Sequence, residues 1–138
     1  MNRSAIIVCE RLVGVPFAKG GRSYAAADCW GLLRLAYRDM LGIELPILGV
    51  AADSDRSLVE RQVTADQWQA VEPGHEQPGD VVTLRADGWP AHVGMVVGGR
   101  RMLHVVEGAS SRIERYDSRI WTSRIDGFYR HPRRAAVR

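Results

Sequence analysis

The sequence is short of cysteine and has no long apolar run, and both shortages narrow what it can be. Two cysteines, Cys9 and Cys29, allow one disulfide at most, which excludes a disulfide-stapled scaffold. A metal site from Cys29, His92 and His104 would lack the close ligand pairs typical of zinc, so no metal and no cofactor is expected. No stretch approaches the roughly 20 consecutive apolar residues of a membrane span. The opening MNRSAIIVCERLVG has one arginine, an apolar patch broken by Glu10 and no small-residue cleavage site. It reads as mature structure, with synthesis in the cytoplasm and no signal peptide. Repeats and low-complexity segments are also missing. Net charge is +3, and much of the basic excess lies in RHPRRAAVR, residues 130–138. That run reads as a solvated basic tail, and without aromatic-basic interleaving it gives no nucleic-acid partner.

What is present fits one globular domain over residues 1–138, with 46% hydrophobic and 25% charged residues. Residues 3–14 carry a helical pattern that places Cys9 on an apolar face, where a cysteine acts as an inert hydrophobe. GVPFAKGGRSYAAA, residues 14–27, is a loop by its glycines and Pro16. A second helix starts at Cys29, runs to about Leu41 and stops at Gly42, with Arg34, Arg38 and Asp39 toward water. A third helix is expected over 54–66, and VEPGHEQPGD, residues 71–80, ends the helical half. Short strands follow at 81–85, 92–99, 101–108, 111–116 and 126–131, with Gly98-Gly99 as a hairpin turn. Helices first and a strand meander after them predict an α+β fold, N-terminal helices packed on an antiparallel sheet.

In AAADCWGLLRLAYRDM, residues 25–40, Asp28 is a favourable N-cap and leaves Cys29 at the first turn. There the helix dipole favours thiolate over thiol. A base must come from the four histidines. His75 sits in a Pro/Gly turn and His131 in the basic tail, so both read as surface residues. His92 and His104 flank the glycine turn on paired strands. His92 can take the Cys29 proton while His104 holds the other ring nitrogen. Asp80 reads as shaping the turn before the first strand, and Gly94 as permitting close backbone approach. Trp68 and Trp121 read as packing residues, Glu107 and Arg112 as solvated strand ends.

DCWGLLRLAY, PGDVVTL, HVGMVV and MLHVVEG, in that order, resemble the NlpC-type cell-wall cysteine peptidases of the papain-like superfamily. Trp30 after the cysteine, with GIELP downstream, is most similar to the branch encoded in bacteriophage tail operons. The resemblance implies a γ-D-glutamyl–diaminopimelate-type endopeptidase acting on peptidoglycan stem peptides, with Cys29 as nucleophile, His92 as base and His104 as the orienting third member. It also implies a place in a phage or prophage tail, among tail proteins. Two positions depart from the family pattern. Phe17 in VPFAKGG replaces a tyrosine, for which nearby Tyr24 is the substitute, and Trp30 replaces a serine at the mouth of the site. Phe17, Tyr24, Asp28, Trp30 and Trp89 are the expected substrate-groove residues, with helix capping as the competing role of Asp28. The rival function is a non-catalytic tail-assembly or binding module that keeps the fold.

Overall fold

The computed structural model describes residues 8–48, 67–86 and 89–135. The expected third helix at 54–66 lies outside them, as does the start of the helix expected at 3–14. What is described of the latter is a 3₁₀ turn, Glu10–Leu12, with Leu12 fully buried. Two short strands, β1 (Arg22–Ser23) and β2 (Ala26–Ala27), then form a small antiparallel ladder within the segment read as loop.

Helix α1 is Cys29–Ala36. Its N-cap is Asp28, whose Oδ1 accepts from the Gly31 N–H at 2.7 Å. The helix continues as a π turn, Tyr37–Leu41, and ends at Gly42 with φ of 67°, the left-handed conformation glycine adopts without a Cβ penalty. Seven of its eight residues are buried, the exception being Arg34, which donates to the Leu45 carbonyl. Each of its large apolar side chains contributes about 1.5–3 kcal/mol by leaving water. Gly31 is needed for that packing. A β-carbon there would lie 2.1 Å from the Gly21 carbonyl oxygen.

Strands β3 (Gln69–Val71), β4 (Val81–Ala86), β5 (Trp89–Gly98), β6 (Arg101–His104), β7 (Arg112–Arg115) and β8 (Ile125–Arg130) form an antiparallel sheet in the order β3-β8-β4-β5-β6-β7. Gly98 pairs with Arg101, so the β5–β6 turn is Gly99-Arg100, with φ of 64° and 59°. Two positive φ values suit the right-handed twist of a tight hairpin. α1 packs on β5 and β6. Alternation along β5 sends Val93, Met95 and Val97 into the cluster that contains α1, and Val96 into a second cluster with Met102, Tyr116, Trp121 and Phe128. The observed architecture is α+β, as the sequence pattern predicts.

The end of the chain departs from the sequence reading. Arg130, His131 and Arg134 are held by the fold and are not a solvated tail. The Arg130 guanidinium grips both carboxylate oxygens of fully buried Asp80, at 2.9 and 2.8 Å. His131 is 6% exposed and meets the Trp68 ring edge-on at 4.9 Å between centroids. A short helix, α2 (Pro132–Ala135), brings Arg134 to the Pro78 carbonyl at 2.6 Å. Gly79, with φ of 96°, leaves room for that guanidinium. Asp80 also accepts from the Gln77 N–H, which closes the turn into β4. The partners of these cations lie some fifty residues back, out of reach of a local charge pattern.

Candidate functional site

Cys29 occupies the first position of α1, and its residue is 2% exposed. The N–H groups of a first helical turn and the positive end of the dipole surround it. It belongs to the helix-side cluster together with Val93 and Met95 of β5. His92 precedes Val93 on that strand and takes the opposite alternation, facing Trp121.

The two histidines meet. His92 Nε2 and His104 Nδ1 are 2.7 Å apart, and the residues are 4% and 1% exposed. Their backbone relationship is diagonal. Met95 pairs with Leu103 and Val96 with Met102, so the register continues to Gly94 opposite His104. His92 lies two residues further along the same face, within reach of a long side chain. Gly94 makes the diagonal possible, because a β-carbon there would come within 3.3 Å of the His104 β-carbon. The imidazole nitrogens bond each other instead of converging on a third centre. Among the described residues, no group of three or more His, Cys, Asp or Glu side chains is arranged to hold a metal ion.

Burial sets the protonation of this pair. Desolvation, aided by the adjacent His104, pushes His92 down to about 3. Desolvation also lowers His104, with Glu114 pulling the other way. Both rings are therefore neutral at pH 7. With Nε2 engaged by His104, Nδ1 is the nitrogen left to His92 for accepting a proton.

Two participants escaped the sequence reading. Glu114 Oε1 lies 2.8 Å from His104 Nε2, so a carboxylate backs the pair. Trp121 is 5% exposed, stacks on His92 at 5.6 Å and 21°, and meets His104 edge-on at 5.2 Å. Trp121 packs as expected, but against the two histidines. The evenness of positions 104 and 114 hinted at a shared face, yet the β6–β7 register depends on a turn the sequence does not specify.

The expected groove residues separate. Trp30 is 2% exposed and donates its indole N–H to the Pro46 carbonyl at 2.8 Å. It packs in the helix-side core. The Tyr24 hydroxyl donates to Asp39, and Arg11 covers its ring at 4.6 Å. Asp39 lies ten residues after Cys29, roughly 15 Å along a helix. Asp39 itself is held by Arg11, with its side chain 6% exposed, and does not face open water. Asp28 spends its carboxylate on the backbone, Oδ1 on Gly31 and Oδ2 on Gly20 at 3.1 Å, and is 3% exposed. It caps α1. Phe17 is half-buried against the helix-side cluster. Trp89 begins β5, and its side chain lies outside the described residues.

Comparison with known proteins places these features. The model of the NlpC/P60 family matches residues 14–130. A curated relative, the murein DD-endopeptidase MepS/murein LD-carboxypeptidase of Escherichia coli K12, is 27% identical over 113 residues, covering 82% of this chain and 54% of that protein. A mycobacterial protein named as a probable endopeptidase (Mycobacterium tuberculosis H37Rv) is 34% identical over 104 residues, covering 75% of this chain and 23% of that protein. The chain thus spans about half or less of these relatives' length. Among solved structures, a Staphylococcus aureus NLP/P60-family lipoprotein-like protein superposes with TM-score 0.65 at 22% identity, covering 95% of this chain and 45% of that one. The NlpC/p60 domain of the peptidoglycan hydrolase SagA does so with TM-score 0.58 at 22% identity, covering 86% and 88%. At these identities the structures establish the papain-like α+β fold alone.

Proposed function

This chain belongs to the NlpC/P60 family, and from that premise we propose that it is a thiol hydrolase cutting peptidoglycan stem peptides at a γ-D-glutamyl–diaminopimelate-type amide. The observation that carries the proposal is the buried His92–His104 hydrogen bond, in a chain whose helix α1 begins with Cys29. A neutral imidazole whose Nε2 donates to a second histidine has its lone pair on Nδ1, the tautomer a general base requires.

The proposed reaction requires the Cys29 thiol to reach His92 Nδ1. His92 Nδ1 takes the thiol proton as Sγ attacks the amide carbonyl, then delivers it to the leaving amine. Water hydrolyses the thioester with His92 again as base. The Cys29 backbone N–H, at the head of α1, is the proposed donor to the oxyanion; removing one such donor typically costs about 10²–10³ in rate. The murein endopeptidase and probable endopeptidase names of the relatives support this class of substrate, and no metal or cofactor enters the scheme. A phage or prophage tail is the proposed setting, with tail proteins as partners, on the strength of the resemblance around Trp30 and GIELP.

One observation favours the rival reading, an inert tail-assembly module: Cys29, His92 and His104 are all at most 4% exposed. Digestion of defined muropeptides, with product masses read by mass spectrometry, separates the two. Cleavage beside the γ-linked residue supports the hydrolase, and the absence of any product supports the module.

A further inference from the structure

The polar chain that starts at His92 runs across three neighbouring strands and ends on Glu114. On β7, Glu114 pairs with Met102 and Arg112 with His104, so Glu114 is diagonal to His104 just as His104 is diagonal to His92. Its Oε1 accepts from His104 Nε2 at 2.8 Å and from Arg112 Nε at 3.3 Å, and the Trp121 indole N–H donates to the same carboxylate. We propose that Glu114 is a positioning residue: its carboxylate fixes the tautomers of both histidines and seats Trp121 against the His92 ring. The consequence for turnover rests on the thiol-hydrolase reading, whereas the tautomers can be observed without substrate.

The chemistry runs in one direction. Partial burial on its own would raise the Glu114 carboxyl, but the hydrogen bonds from His104 and Trp121 and the Arg112 charge hold it below the usual carboxylate range. An ionised carboxylate only accepts, so His104 must carry its proton on Nε2. Neutral His104 then has its lone pair on Nδ1, and the 2.7 Å contact can be made only if His92 donates from Nε2. The His92 lone pair is thereby assigned to Nδ1. Trp121, held by the same carboxylate, stacks on His92 at 21° and is edge-on to His104 at 84°, which fixes the planes of both rings. A single acidic side chain on an edge strand thus sets proton position and ring orientation together.

The test uses Glu114→Gln and Glu114→Asp in the full chain. Glutamine matches glutamate in shape but can donate as well as accept, so it allows the reversed tautomer chain; aspartate remains an acceptor only. Nitrogen NMR of ring-labelled histidine distinguishes protonated from lone-pair nitrogens. The wild type should show Nε2–H on both His92 and His104, Glu114→Gln a mixture, and Glu114→Asp a return toward the wild-type pattern. On muropeptides, Glu114→Gln should lose kcat by ~10–100-fold, the scale seen for carboxylates that orient metal-ligating histidines, with KM little changed. Nδ1–H on wild-type His104, or unchanged tautomers in Glu114→Gln, would overturn the proposal. If tautomers shift as expected while the wild type cleaves nothing, the assignment of Glu114 stands and the hydrolase reading fails.

Discussion

His92 Nε2 lies 2.7 Å from His104 Nδ1, joining two neutral imidazoles on adjacent strands beneath the ring of Trp121. Because the pair is buried, its variants must preserve volume. Alanine at His92 would open a cavity as well as remove a base. His92→Gln should therefore be the cleaner probe, lowering kcat by about 10³-fold, within the usual range for a general base. His104→Gln should retain a measurable fraction, since an amide oxygen can accept the His92 N–H. Steady-state kinetics on a stem peptide checks both, and near-normal turnover by His92→Gln would remove it from the mechanism.

The same burial makes stability depend on pH. His92 titrates at about 3 when folded and near 6.5 when unfolded. Between those values the unfolded chain binds the extra proton, so stability falls as pH drops below 6.5. Between pH 6.5 and 5 the loss from His92 is about 2 kcal/mol. Urea melts of the wild type and His92→Gln should show a shallower acid slope in the variant. Equal slopes would mean that His92 is not held neutral by the fold.

Cys9 is half-buried and Cys29 is nearly fully buried, so exposure alone predicts that an alkylating reagent reacts first at Cys9. Position at a helix start, with His92 as the proposed base, predicts the reverse. With limiting iodoacetamide, peptide mapping should find Cys29 labelled ahead of Cys9, and the order should invert in His92→Gln. Labelling confined to Cys9 in the wild type would argue that Cys29 is no nucleophile.

Gly31 anchors the loop that approaches α1. Its hydrogen has no room to become a methyl group, with the Gly21 carbonyl oxygen 2.1 Å from that position. Gly31→Ala should cost about 1–3 kcal/mol, the usual penalty for overpacking, and displace the helix start that carries Cys29. Thermal melting reads the first effect; an unchanged midpoint would show that the loop yields freely.

The local elements around the candidate site are legible because their grammar is local. A capping aspartate before Cys29, and two histidines at matched parity about a glycine turn, are written into contiguous residues. The packing of Trp30 is not legible, because helical periodicity shows that a side chain is apolar but not what covers it. The Pro46 carbonyl that takes its N–H lies sixteen residues on. Arg130 and His131 looked solvated for the same reason, their partners Asp80 and Trp68 being set by the β4–β8 and β3–β8 pairings. Glu114 reads from the sequence only as part of a strand, since its contact with His104 requires β6 and β7 in register.

The most direct test of the account is whether Cys29 becomes acylated. The wild type is mixed with a γ-D-glutamyl stem peptide, quenched with acid within a turnover, digested and mapped by mass. The account predicts a thioester increment on the Cys29 peptide that decays as product appears, with neither adduct nor product in Cys29→Ala. Product formed at the wild-type rate by Cys29→Ala would contradict it.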